Sequence, residues 1–327
     1  LKPIYLKKIT ACLPERTVTN DEIIANEGLK MKAAWIESRI GIRERRWAAP
    51  NQAASDLAFE AVRDLGTGEA TLFVSTISPD FLTPSTASIL KRKLGWTGDR
   101  PATDIAAACA GLVFGFELAH HRLLATEEKN VIVCATEVRS RFLNPKDRRT
   151  VFIFGDAACA FWFARESEGS IARLDWTSAR TEASPEIEIL IPGGGSRAPL
   201  TAESLARGDA AIQMVDGAGI ESAVEGLLLE KLRQELGSRS ETVADYDFFV
   251  FHQGNSRMIR EVCAALGIRE NQTLLNFERY GNSSSASVGV VLEEAARLGR
   301  IAPGDRVLMI AMGAGRHLGL CGLTWNA

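Results

Sequence analysis

The stretch Asp104-Ile105-Ala106-Ala107-Ala108-Cys109-Ala110-Gly111-Leu112 decides how this chain of 327 residues is read. It reads as the end of a short buried strand, a bend of small residues, and a helix running from Gly111 towards Ala125. Working outward, Thr71–Ser75, Asn130–Ala135, Ala158–Phe163, Phe248–Phe251 and Arg306–Ala311 read as further short apolar strands that alternate with amphipathic helices, the pattern of a layered α/β protein. The bend places Cys109 at a helix start, where unpaired backbone N–H groups and the positive end of the helix dipole stabilise a thiolate. The expectation is a nucleophilic thiol able to carry an acyl group. A lone cysteine in such a turn also reads as simple packing, so the choice rests on residues far downstream.

Two segments supply them. Asp245-Tyr246-Asp247-Phe248-Phe249-Val250-Phe251 reads as a buried strand that ends in His252-Gln253-Gly254-Asn255, before an amphipathic helix from Ser256 to Leu266. Tyr280-Gly281-Asn282-Ser283-Ser284-Ser285-Ala286-Ser287 is a small, polar loop at another helix start, with Ser or Asn available as the cap. Cys109, His252 and Asn282, each at a junction of strand or loop with helix, make a candidate nucleophile, proton-handling group and amide donor.

Composition narrows the class. With 46% apolar and 24% charged residues the chain reads as an ordinary globular protein, and a formal net charge of −3 gives no reason to expect nucleic acid. Six cysteines (12, 109, 134, 159, 263 and 321) lack metal-like spacing and read as reduced thiols. No apolar stretch reaches the ~20 residues that span a bilayer, and the opening LKPIYLKKITACLPERTVTNDEI lacks the apolar core of a signal peptide. A cytoplasmic enzyme with no metal and no membrane contact is expected. Gly193-Gly194-Gly195 lies in a loop-rich insertion over residues 181–204 and has none of the context of a phosphate loop. A Ser-rich helix start in LTPSTASILKRKLGW is echoed in GNSSSASVGVVLEEAARLG, a weak sign of internal duplication.

Six blocks in order, WIESRIGIRERRWAAP, DIAAACAGLVFGFELA, DRRTVFIFGDAACA, FHQGNSRMI, YGNSSSASV and GRIAPGDRVLMIAMGAG, give the chain a resemblance to the β-ketoacyl-acyl carrier protein synthase III family of the thiolase superfamily. The resemblance implies a five-layer αβαβα fold of two duplicated halves, here residues 1–168 and 169–327, with the break near Glu166–Ile171. It also implies an acyl-CoA primer loaded on Cys109, and decarboxylative condensation with malonyl-acyl carrier protein to a 3-oxoacyl product. The acyl-CoA thioester is then a substrate, and no further cofactor is implied. His252 and Asn282 would stabilise the malonyl enolate, with backbone N–H groups of Cys109 and Ala314 as the oxyanion donors. Alternatives within the same fold are an acyltransferase, or a ketosynthase of quinolone, pyrone or resorcinol type.

By the same resemblance Trp35, Arg39, Arg148 and Asn255 would contact CoA, Arg257 and Arg260 the acidic carrier protein, and Phe154 the acyl pocket. A homodimer is implied, with the Phe81-Leu82-Thr83-Pro84 loop reaching towards the partner's pocket. Three positions depart from the family pattern. Thr83 stands where a bulky aromatic is usual, Arg139 where an aliphatic pocket residue is usual, and Arg149 where a glycine is usual. A guanidinium facing an acyl channel is costly unless paired, so Arg139 either turns out to solvent or marks a primer with a distal carboxylate, such as glutaryl-CoA.

Overall fold

The computed structural model describes residues 2–184 and 187–326. Pro185 and Glu186, which belong to the expected insertion, lie outside the described residues. Nine strands form one mixed sheet: β1 (Ile4–Cys12), β2 (Thr71–Ser75), β3 (Ala102–Ile105), β4 (Asn130–Glu137), β5 (Ala157–Ala164), β6 (Ala172–Thr181), β7 (Phe248–Phe251), β8 (Arg306–Gly313) and β9 (His317–Trp325). Their spatial order is β7-β8-β9-β6-β1-β5-β4-β2-β3. The principal helices are α1 (Ala54–Arg63), α2 (Thr86–Lys93), α3 (Gly111–Ala125), α4 (Leu229–Ser238), α5 (Ser256–Leu266) and α6 (Ala286–Arg297).

The sheet carries one topology twice. From the centre outward, β1-β5-β4-β2-β3 pair antiparallel, antiparallel, parallel, parallel. On the other side β6-β9-β8-β7 repeat antiparallel, antiparallel, parallel. The place of β3 is taken there by a single parallel bridge, Phe249 to Thr273. The two sets join where Leu6 of β1 pairs antiparallel with Ala172 of β6. This equivalence corrects the Ser-rich echo in the sequence. α2 precedes β3, whereas α6 occupies the place of α3, so the two similar segments are not counterparts.

Period-two alternation explains why five layers form. In β4, Val131, Val133 and Ala135 face a central core that also holds Leu112, Val113 and Phe116 of α3 and Val288, Val291 and Leu292 of α6. Ile132 and Cys134 face the opposite way, against Leu57, Ala58 and Val62 of α1 and Leu90 of α2. β7 and β8 behave likewise. Phe248, Val250, Val307 and Met309 point to the central core, and Phe249, Phe251, Leu308 and Ile310 to an outer one with Leu232 of α4 and Ile259 of α5. Strands buried on both faces read as continuous apolar runs, and α3 and α6 are sandwiched between the two sheet portions.

Among the described residues no helix is long and apolar enough to cross a membrane. The six cysteines are free thiols.

Candidate active site

The turn after β3 and the one before α6 are built alike. Ala108 (φ 45°) and Ser284 (φ 50°) are both non-glycine residues in the left-handed region, a strained backbone state that clusters at functional sites. Cys109 follows the first and Ser285 the second, and each helix starts within two residues. Gly313, the last residue of β8, packs against the Cys109 turn. A Cβ there would lie 2.7 Å from the Cys109 N and 3.0 Å from the Ala110 N, so only glycine lets the two backbones approach this closely.

Cys109, His252 and Asn282 all line one cavity of about 600 Å³, together with Ala314. The Cys109 Sγ lies 3.6 Å from the Ser284 Oγ. Burial pushes the Cys109 thiol up to about 11; the Ser284 hydroxyl and Arg139 oppose this, while Glu137 adds to it. The expected thiolate at a helix start is therefore not the resting form. Desolvation of the sulfur is the largest cause of this shift and runs against the stabilisation expected of a helix start.

His252 follows β7, and its Nδ1 is 2.7 Å from the Ser287 Oγ. That hydroxyl also accepts the Gln253 N–H at 3.1 Å, so one serine oxygen serves both the ring and the backbone beside it. Gly254 keeps that nitrogen accessible, since a Cβ there would stand 3.1 Å from Nε2. Burial lowers the His252 pKa to about 4, opposed by the Ser284 carbonyl. Burial thus raises the thiol and lowers the imidazole, and both shifts favour the neutral form. A neutral imidazole at the cavity wall can donate a hydrogen bond from Nε2 when the ring hydrogen sits on that nitrogen.

Asn282 is buried. Its backbone N–H donates to the Ile153 carbonyl at 2.8 Å and its carbonyl accepts from the Gly155 N–H at 3.1 Å. The Asn282 Oδ1 accepts the Ser284 N–H at 2.8 Å. A backbone donor fixes which end of the amide is oxygen, so Nδ2 is left for the cavity. The serines after it do not cap α6, as the sequence allowed: Ser285 donates instead to Glu137 at 3.0 Å.

Glu137 is fully buried and also takes the Ser78 hydroxyl at 2.6 Å. Burial raises its carboxyl above the usual range, against the pull of Arg139. Arg139 is itself 4% exposed and lies on the cavity wall; it does not turn out to solvent. It donates to the Ile77 carbonyl at 3.2 Å, packs over Phe154 with 5.6 Å to the ring centroid, and keeps a buried Nε without a partner. Neither Glu137, Ser284 nor Ser287 stood out in the sequence, where a serine run looks like capping and a strand-end glutamate looks like a solvated residue.

The remaining predicted residues separate into two groups. Phe154 and Asn255 line the cavity, and Asn255 also caps α5 by accepting the Arg257 N–H at 2.9 Å. Trp35 is 53% exposed, not a core aromatic, with the Arg39 guanidinium 5.8 Å from its ring centroid. Arg148 and Arg260 are exposed, Arg257 is paired with Glu261 at 2.9 Å, and Arg149 with Asp147 at 3.2 Å. Thr83 is exposed and is not among the residues lining the cavity.

Two repeats of one α/β topology with cysteine, histidine and asparagine around a single cavity between them define a condensing enzyme of the thiolase type. Residues 103–179 match the family described as 3-oxoacyl-[acyl-carrier-protein (ACP)] synthase III, and residues 236–325 match its C-terminal region. The chain is 32% identical over 348 residues to the beta-ketoacyl-[acyl-carrier-protein] synthase III of Rhodopirellula baltica, covering 99% of each. It is 34% identical to the acetoacetyl CoA synthase NphT7 of a Streptomyces species, covering 96% of each. A crystal structure of a 3-oxoacyl-(acyl-carrier-protein) synthase III superposes with a TM-score of 0.88 at 26% identity, over 99% of this chain and all of the other. The chain belongs to the 3-oxoacyl-[acyl-carrier-protein] synthase III family and is a condensing acyltransferase.

Proposed function

We propose that this enzyme loads an acyl group from acyl-CoA onto Cys109 and condenses it with a malonyl thioester on acyl carrier protein. The Cys109 sulfur adds to the thioester carbonyl, the thiol proton passes to the departing CoA sulfur, and an acyl-cysteine remains. The malonyl group then loses CO2, and the electron pair left behind spreads onto the thioester oxygen. His252 Nε2–H and Asn282 Nδ2–H donate to that oxygen. Two neutral donors suit an enolate, since they carry no charge to be neutralised and cost little reorganisation. The enolate carbon attacks the acyl-cysteine carbonyl, whose oxygen meets the Cys109 and Ala314 N–H groups, and the sulfur leaves as a thiolate that takes a proton from solvent, giving a 3-oxoacyl product and the resting thiol. The observation that carries this reading is the shared cavity of Cys109, His252 and an Asn282 whose Oδ1 is held by the Ser284 N–H, so that Nδ2 is left for the cavity.

The primer follows from Arg139. A buried guanidinium with an unpartnered Nε beside an acyl-carrying cysteine supports a primer that ends in a carboxylate, such as glutaryl-CoA. Trp35, Arg39, Arg148 and Asn255 remain the proposed CoA contacts, and Arg257 and Arg260 the proposed carrier-protein contacts. Phe81 and Leu82, 62% and 88% exposed beside Thr83, support a homodimer through that loop. The cytoplasm is the proposed location.

Mass spectrometry of enzyme mixed with a panel of acyl-CoAs reads the primer as mass added to Cys109, and malonyl-acyl carrier protein then yields CO2 and a 3-oxoacyl product. A charge-assisted hydrogen bond contributes ~1.5–3 kcal/mol, so R139L should lower glutaryl loading by about 10- to 150-fold while leaving acetyl loading little changed. Acetyl-CoA strongly preferred by the wild type would retire the acidic primer. Absence of carbon–carbon bond formation would leave the acyltransferase alternative.

A further inference from the structure

A flap spanning residues 188–216 supplies Glu188, Ile189, Leu190, Ile191, Ile212 and Met214 to the cavity wall. Its two short strands, Ile189–Leu190 and Gln213–Met214, pair antiparallel. At its root the Glu188 carbonyl accepts the N–H groups of Val215 at 2.8 Å and Asp216 at 3.1 Å, and at its far strand the Ile212 N–H donates to the Phe142 carbonyl at 2.7 Å. These bonds tie the flap to itself and to the Arg139 side of the cavity. On the oxyanion side the tie is ionic. The Arg316 Nε donates to the Glu188 Oε1 at 3.0 Å, with the carboxylate side chain 6% exposed and the arginine 22%.

Arg316 ends the three-residue turn Ala314-Gly315-Arg316 that joins β8 to β9, directly after the Gly313 that abuts the Cys109 N–H. It holds φ at 53°, after Gly315 at 77°, a conformation that glycine adopts at lower cost than arginine. Arginine at a position suited to glycine needs a compensating contact, and the buried Glu188 provides it. We propose that the Glu188–Arg316 pair fastens the flap to the oxyanion turn, which makes both positioning residues for acyl loading on Cys109. This rests on the reading of Ala314 as an oxyanion donor.

R316G separates the guanidinium from the turn, because glycine keeps the backbone conformation and loses the tie. E188Q removes the charge from the other side with little change in shape. Acyl loading at saturating acyl-CoA should slow at least tenfold in both variants, with KM within twofold of wild type, and R316K should recover most of the rate. Hydrogen exchange at the amides of the flap strands reads the fastening without any chemistry, and should quicken at least tenfold in both. Wild-type loading in R316G would mean that only the turn conformation matters, and a raised KM at unchanged rate would make the pair a substrate contact. Either result overturns the proposal, as does unchanged exchange. A wild type that takes no acyl group on Cys109 would instead retire the function proposed above, with exchange still deciding the fastening.

Discussion

Lowering the pH from 8 to 4 should destabilise this enzyme through His252 in a way that a single substitution can isolate. The imidazole titrates at about 4 in the folded chain because burial disfavours the cation, and at about 6.5 once unfolded. Between these values the unfolded state binds a proton that the folded state does not, so stability rises with pH there. The contribution is complete above pH 6.5 and is lost as pH falls through 4. A gap of 2.5 units at 1.36 kcal/mol each sets an upper bound of ~3 kcal/mol, reduced by the ring's remaining contact with the cavity. H252Q keeps a neutral polar side chain of similar reach and has nothing to titrate. Urea unfolding of both proteins at half-unit pH steps should give a stability difference that is flat from pH 8 to 6.5. Below that it should fall against the wild type at up to ~1.4 kcal/mol per unit. A difference that stays flat to pH 4, or that moves in favour of the wild type on acidification, would refute a buried neutral imidazole and with it the donor role drawn from that state.

Alkylation of the free enzyme by iodoacetamide, followed as mass on Cys109, should keep accelerating with pH past 9, because the thiol titrates at about 11; a plateau near pH 7 would show a thiolate already formed. G254A adds a methyl 3.1 Å from the His252 Nε2, and should slow malonyl decarboxylation at least tenfold while acyl loading on Cys109, read separately by mass, stays within twofold. G313A places a methyl 2.7 Å from the Cys109 N; overpacking of this kind costs ~1–3 kcal/mol, so its urea midpoint should drop and acyl loading should slow together.

Much of this was legible in the chain because burial on both faces leaves a plain signature. Thr71–Ser75 and the helix over Ser256–Leu266 were read with the observed bounds, while the strand read from Asp245 begins only at Phe248, because Asp245 closes a 3-10 turn. β4 and β8 each extend two residues further than expected, since Thr136, Glu137 and Gly313 continue the ladder without continuing the apolarity, and β5 gains Ala157 and Ala164, one at each end. Cys109, His252 and Asn282, which line one cavity, were singled out because each sits where a strand or loop passes into a helix. What escaped was whatever depends on which atoms meet. The thiol's charge state turns on desolvation that no local sequence expresses. Arg139 could have snorkelled outward, and only the packing of Phe154 and the Ile77 carbonyl shows that it does not. The Glu188–Arg316 pair spans 128 residues, and neither residue sits in a pattern that names its partner. The repeat of LTPSTAS in GNSSSAS misled for the opposite reason, because helix starts favour the same small polar residues wherever they occur.

The left-handed residues Ala108 and Ser284 sit in turns that the doubled topology makes counterparts. Under the proposed chemistry one of these matching loops carries the covalent arm, Cys109, and the other the amide arm, Asn282, and both open on the same cavity. Divergence in either copy can redirect the chemistry while its twin preserves the frame, so changes of reaction in such a scaffold should begin at residues 108–111 or 282–287 and leave the sheet untouched.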